Sequence, residues 1–199
     1  VFFDMEKAYD TTWKYGILKD VHNMGLRGRL PIFISKFLAN RRFTVRLGST
    51  LSSKREQEIG VPQGCVLSVT LFGIKINDIT RTLQKDLNCS LYVDDFVICY
   101  RSRNMTTIER KLQQAINHLE TWTTENGFKF SQQKTTCVHF CQKRGCTDKP
   151  ALRIQKTEIA VADEAKFLGL IFDRKLSFQA HIENLRRKCQ PGLNLLKVL

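Results

Sequence analysis

Ser90-Leu91-Tyr92-Val93-Asp94-Asp95-Phe96-Val97-Ile98-Cys99-Tyr100 is an apolar run broken by two adjacent acids. Strand-forming residues flank Asp94 and Asp95 on both sides, which predicts a hairpin with the acids at its tight turn. Ionised groups taken out of water must be paired or must bind a cation. An acidic pair on a rigid turn supplies the hard oxygen donors that Mg²⁺ prefers. Asp is also a common turn residue, so Tyr92 to Asp95 alone leave metal chemistry and an ordinary turn equally open.

Working outward, Asp4 follows Val1-Phe2-Phe3, as a carboxylate at the end of a buried strand does. With Asp94 and Asp95 it completes a three-carboxylate set drawn from distant strands. Three crowded acids repel one another strongly without a cation. Two divalent ions about 3.5–4 Å apart would neutralise them and clamp both oxygens of an in-line phosphoryl transfer. Taken singly, Asp4 fits equally well on a solvated face with Glu6, Lys7 and Asp10.

The 199 residues are 42% hydrophobic and 26% charged, proportions that suit one globular domain or one plus part of another. Lys and Arg number 32 against 19 acids, giving a net charge of +13 and a pI near 9.6. Such a field attracts polyanions, nucleic acid above all. Seven cysteines show no disulfide framework and are read as reduced thiols of an intracellular protein. Cys137-Val138-His139-Phe140-Cys141 with Cys146 has zinc-ligand composition. However, alternate strand positions share one face and no second pair stands at finger spacing, so zinc is not assigned. No run is long and apolar enough to span a membrane, and no membrane partner is expected. Val1 opens directly into a strand, as in a fragment of a longer polypeptide.

The pattern predicts a strand at Val1 to Asp4 and a helix capped by Thr11 or Thr12 and closed by Gly25. A second helix is expected over 30–39, with Pro31 in its first turn. Residues 42–47 and 51–58 should form a hairpin around Gly48-Ser49-Thr50. A buried helix over 67–79 should follow the loop Gly60-Val61-Pro62-Gln63-Gly64. Thr106 and Glu109 suggest a capping box for an amphipathic helix with Ile108, Leu112, Ala115, Ile116, Leu119 and Trp122 on one stripe. Strands are expected over 135–140 and 166–172, a basic loop over 141–150, and a basic C-terminal helix interrupted at Pro191-Gly192. Alternating strands and helices with several hairpins argue for an α+β sheet layered by helices.

These residues together resemble the reverse transcriptases, and within them those of non-LTR, LINE-type retrotransposons, jockey-like elements being most similar. Phe3-Asp4-Met5-Glu6-Lys7-Ala8-Tyr9-Asp10 resembles the family's first catalytic motif. Gly60-Val61-Pro62-Gln63-Gly64-Cys65-Val66-Leu67-Ser68 matches the loop opening the second, which continues through Leu71-Phe72 and Ile76-Asn77-Asp78-Ile79. Tyr92-Val93-Asp94-Asp95 is the third. Gly127-Phe128, Ser131 and Lys134-Thr135 are similar to the fourth, and Phe167-Leu168-Gly169 to the primer grip. Five motifs in the right order over nearly the whole chain are far more specific than any one.

The resemblance implies a polymerase palm, a ferredoxin-like antiparallel sheet with helices on one face, over residues 1–176 with part of the fingers. Residues 177–199 would begin the thumb. It implies RNA-templated addition of dNTPs to a DNA primer 3′-hydroxyl. Asp4, Asp94 and Asp95 would bind two Mg²⁺ (or Mn²⁺) ions, with the Met5 carbonyl adding an oxygen and Asp95 the less direct ligand. Tyr9 would be the steric gate against a 2′-hydroxyl. RNA-templated RNA polymerases, which share the double aspartate, typically carry Asp there. Gln63, Gly64 and Tyr92 would meet the nucleotide, and Gly60 and Gly64 would let backbone approach it. Lys134 would neutralise the triphosphate or protonate pyrophosphate. Phe167, Leu168 and Gly169 would hold the primer end. Action in the nucleus, from an RNA–protein particle, is implied as well.

Cys65, Val69, Gly73 and Lys75 depart from the family's usual second motif without removing a metal ligand. Most of the fingers and thumb, and any endonuclease, would lie outside this sequence. The alternative is a catalytically inactive nucleic-acid-binding remnant of the same fold.

Overall fold

The computed structural model describes residues 1–146 and 148–197. Strand β1 (Phe2–Phe3) opens the chain and takes both its neighbours from far along it. One helical turn, α1 (Ala8–Thr11), precedes α2 (Lys14–Asn23). The expected threonine cap is not formed. Thr12 is buried and its hydroxyl donates to the Ala8 carbonyl at 2.7 Å, so the helix starts afresh at Lys14. In α3 (Arg29–Leu38), Pro31 occupies the first turn, where its missing N–H forfeits no helical bond.

The next hairpin is a two-rung ladder: β2 (Arg42–Phe43) pairs with β5 (Arg55–Glu56), and β3 (Arg46–Leu47) with β4 (Thr50–Leu51). Every residue in these strands is exposed. The apolar stretch beyond Gly64 forms α4 (Val66–Asn77) and a 3₁₀ turn at Asp78–Thr82; where a buried helix was expected, α4 buries one face, with Leu71, Phe72 and Ile76, and leaves Val66 and Val69 exposed. The acidic hairpin follows as β6 (Asn88–Tyr92) and β7 (Asp95–Cys99). The amphipathic helix α5 (Met105–Asn126) buries Leu112, Ala115, Ile116, Leu119 and Trp122. Its cap is Asn104, whose side chain accepts from the Thr107 N–H at 3.2 Å, rather than the expected Thr106 box. Glu109 is drawn away to accept from the Ala151 N–H at 2.9 Å.

Strand β8 (Thr136–Cys137) is shorter than the alternation predicts. Three further two-residue strands follow, β9 (Arg153–Ile154), β10 (Thr157–Glu158) and β11 (Ala160–Val161). The expected strand over 166–172 is instead a hairpin of β12 (Glu164–Phe167) and β13 (Leu170–Asp173). Leu168 and Gly169 both adopt positive φ, 48° and 84°, and reverse the chain in two residues. Helix α6 (Gln179–Leu196) runs unbroken through Pro191, where an interruption was expected, and buries no described residue. Position 147 of the basic loop and positions 198–199 of the expected thumb segment lie outside the described residues.

These elements make an α+β fold around a sheet of order β11-β8-β1-β7-β6. All its pairs are antiparallel except β11 with β8, a correction to the fully antiparallel sheet expected. The chain leaves β8, passes through the β9–β10 hairpin and returns in the same direction, as a parallel pair requires. Side chains alternate across the sheet. Phe3, Phe96 and Ile98 join Phe72 of α4 and Ile116 and Leu119 of α5 in one core cluster. Phe2 and Val97 point the other way, and the Phe2 ring meets Phe167 and Phe172 at centroid distances of 6.0 and 6.4 Å.

Candidate active site

The register Phe2↔Val97, Phe3↔Phe96, carried one residue further, sets Asp4 opposite Asp95. Period-two alternation places both on the face of Phe2 and Val97, away from α4 and α5. Directly opposed residues lie about 4.5–5.5 Å apart at Cα. Tyr92↔Asp95 closes the β6–β7 ladder, leaving Val93-Asp94 as a two-residue turn. Val93 has φ 58°, rare for a β-branched residue, and such strain costs about 1–3 kcal/mol. The five-residue strands on either side hold it.

The electrostatics follow from this placement. Partial desolvation raises the Asp95 carboxyl above the usual carboxylate range, and the charges of Asp94 and then Asp4 raise it further. Asp95 is still exposed, so solvent screens these effects. Lys134 Nζ lies 3.4 Å from Asp4 Oδ2. Desolvation and then Asp94 push the Tyr9 hydroxyl up as well. Asp4 and Asp95 share one face with Asp94 in the adjoining turn, and the three acids do not form a closed knot: their oxygens do not all lie within 4.8 Å of one another.

Tyr9 sits on α1 and stacks on Phe72 at 4.5 Å with an interplanar angle of 16°, which fixes the plane of its ring. The loop from Gly60 is stapled to the same turn. Gly60 N–H donates to the Thr12 carbonyl at 2.8 Å, Val61 N–H to the Tyr9 carbonyl at 2.9 Å, and Gln63 Nε2 to Asp10 Oδ1 at 3.1 Å. A Cβ on Gly60 would lie 2.6 Å from the Asp10 carbonyl oxygen. The close approach that Gly60 permits is therefore to α1. Gly64, at φ 83°, faces open space.

Met5 bridges Phe130 through its flanking residues: Glu6 N–H donates to the Lys129 carbonyl at 2.9 Å and Ser131 N–H to the Asp4 carbonyl at 2.8 Å. This pattern leaves the Met5 carbonyl out of the bridge. Tyr92 is exposed at the end of β6. Phe167, Leu168 and Gly169 form the tip of the β12–β13 hairpin, and the Phe167–Phe2 contact anchors that tip two residues from Asp4.

Lys75 has a place that sequence reasoning missed. It is buried, paired to Asp20 at 2.9 Å and hydrogen-bonded to Asn126 Oδ1 at 2.7 Å, and so ties α4 to α2 and α5. The available signal was a lone cation between Ile74 and Ile76 in an apolar helix. Asp10 was also not singled out, although it orients Gln63.

A family model described as reverse transcriptase (RNA-dependent DNA polymerase) matches residues 1–172. The chain is 27% identical over 192 residues to the RNA-directed DNA polymerase from mobile element jockey of Drosophila melanogaster, covering 94% of this chain and 21% of that protein. It is 28% identical over 204 residues to the Drosophila funebris protein of the same name, covering 100% of this chain and 22% of that one. The chain thus spans about a fifth of the length of these relatives. Among solved structures it is similar to a Candida albicans telomerase, with a TM-score of 0.47 and 15% identity, covering 86% of this chain and 28% of the other.

Proposed function

The chain belongs to the reverse transcriptase (RNA-dependent DNA polymerase) family, and from that premise we propose that it is the palm of a LINE-type retrotransposon polymerase. The reaction is templated addition of dNTPs to a DNA primer 3′-hydroxyl, with RNA as template. Residues 1–176 are the palm with part of the fingers, and 177–199 begin the thumb. The absence of buried residues from the described part of α6 supports that boundary. The observation that carries the proposal is that the β1–β7 register, carried one residue beyond Phe3↔Phe96, sets Asp4 opposite Asp95, with Asp94 in the adjoining turn.

The donor set fits divalent cations. Partial desolvation and the charges of Asp94 and Asp4 raise the cost of ionising Asp95, and a nearby cation relieves it. Asp4, Asp94, Asp95 and the Met5 carbonyl would hold two Mg²⁺ ions, with Mn²⁺ as a substitute. Bound there, the ions supply Lewis acidity and charge neutralisation for an in-line phosphoryl transfer.

The remaining roles belong to the chain's own groups. Tyr9, held flat by Phe72, leaves no room beside the sugar for a 2′-hydroxyl. Gln63 has its amide nitrogen committed to Asp10, so its oxygen stays available to the nucleotide, with Gly64 and Tyr92 alongside. Lys134 brings a positive charge to the triphosphate and can give a proton to departing pyrophosphate. Phe167, Leu168 and Gly169 steady the primer end. The nucleus is the proposed place of action, reached from a cytoplasmic RNA–protein particle.

The test is primer extension on RNA with Mg²⁺, in a chain of the relatives' full length. Asp94→Asn should lower extension by roughly 10²–10³-fold, the scale of losing one stabiliser of transition-state charge, while RNA binding is unchanged. Equal extension by the variant and the parent would overturn the assignment of catalysis to Asp94, and no extension by the parent would favour the inactive remnant.

A further inference from the structure

Among the described residues, a cluster of three ligating side chains lies outside the carboxylate site. His139, Cys141 and Cys146 each present a donor atom, and these atoms all lie within 4.8 Å of one another. We propose that they bind a zinc ion that fixes the basic loop over 141–150 to the β12–β13 hairpin.

The chemistry of the donors selects the metal. Two thiolates and an imidazole are soft-to-borderline ligands that favour Zn²⁺ over Mg²⁺ or Ca²⁺. The imidazole is already oriented: its Nδ1 lies 2.8 Å from the Asp148 backbone oxygen. A carbonyl can only accept, so Nδ1 carries the proton and the lone pair of a neutral ring falls on Nε2, ready for a metal.

The scaffold draws the donors together without help from a cation. Cys141 N–H donates to the Arg174 carbonyl at 3.0 Å, and the Arg174 guanidinium donates to the Cys146 carbonyl. Both ends of the Cys-x₄-Cys segment are therefore pinned to the residue that follows β13. His139 and Cys141 also line a cavity of about 550 Å³, which leaves a fourth coordination position open to water.

The objection from strand alternation fails for a structural reason. Strand β8 ends at Cys137, so His139 and Cys141 lie beyond the ladder and need not share the pleat of Cys137. Cys137 is buried in the sheet opposite Val161 and stands apart from the cluster. All seven cysteines are free thiols, so Cys141 and Cys146 are available as ligands. Zn²⁺ with two thiolates is electrically neutral, so the loop keeps the charges of Lys143, Arg144 and Lys149. None of its ligands belongs to the carboxylate cluster.

The experiment titrates the reduced chain anaerobically with Co²⁺ and then displaces it with Zn²⁺. The expected result is a single tetrahedral cobalt site with thiolate-to-cobalt charge transfer, bleached by zinc. Cobalt held by the carboxylates would give no such band. Cys141→Ser and Cys146→Ser should each abolish it, and His139→Asn should weaken binding by at least about tenfold. Cys89→Ser and Cys189→Ser, at exposed thiols elsewhere, should leave it intact. In a second measurement, Zn²⁺ should slow tryptic cleavage after Lys143 and Arg144 in the parent but not in Cys146→Ser. No thiolate band in the reduced parent, a band that survives loss of both Cys141 and Cys146, or unchanged cleavage with zinc would each overturn the site. So would a Cys141–Cys146 disulfide whose reduction yields no cobalt binding.

Discussion

Asp95 ionises against partial burial and two like charges, and that imposes a pH dependence on the fold. Its folded value lies above the ordinary carboxylate value of 3.8, so the native state holds the proton more tightly than the unfolded chain. The associated stability is present below 3.8 and is lost as pH rises through the folded value. Asp95→Asn should therefore raise the urea midpoint at neutral pH and converge with the parent in acid. Mg²⁺ should raise the parent's Tm more than the variant's. A variant that is less stable at neutral pH would show that the acid is not electrostatically burdened. The neighbouring Tyr9 provides a separate test at this scale. Tyr9→Ala opens the space beneath the sugar and should increase ribonucleotide incorporation by roughly tenfold or more, the effect of about 1.4 kcal/mol. Unchanged sugar selectivity would remove Tyr9 from the gate. The acids were legible because ionised groups in apolar runs are conspicuous. Lys75 was not, since a lysine in sequence does not announce that Asp20 and Asn126 will close over it.

At the scale of elements, the start of α5 separates sequence pattern from geometry. Thr106 and Glu109 have the spacing of a capping box, yet Asn104 makes the capping bond and Glu109 bonds Ala151. Asn104→Ala should cost about 1 kcal/mol in urea unfolding, and Thr106→Ala well under half of that. The reverse order would return the cap to Thr106. The long helices and the acidic hairpin were legible because their periods run over many residues. The strands β9, β10 and β11, two residues each, leave no period to detect. The β12–β13 reversal was hidden because Leu168 occupies a left-handed position that sequence associates with glycine or asparagine. The composition of the His139, Cys141 and Cys146 cluster was legible, but its geometry was not, because sequence does not show that β8 ends at Cys137 and frees His139 and Cys141 from the strand.

Across the whole molecule, the excess of +13 charges must coexist with a site built from acids. Lys134 pairs with Asp4 at the acids, while the β2–β5 hairpin carries Arg42, Arg46 and Arg55 on fully exposed strands. Composition alone points to a polyanion partner, but where the charge collects depends on which strands stay unburied. If this hairpin tracks a nucleic-acid backbone, each arginine releases condensed counterions when it meets a phosphate. Single-stranded RNA binding should then weaken linearly in log Kd against log salt. Replacing Arg42, Arg46 and Arg55 together by Gln should lower the magnitude of that slope by about 2, since each phosphate contact contributes roughly 0.7. The exposed ladder should tolerate the change, so the Tm should hold. Fluorescence anisotropy across a salt series measures the slope. A slope identical to the parent's would show that these arginines do not touch the backbone and would move the nucleic-acid track to another basic surface, such as Arg186, Arg187 and Lys188 on α6.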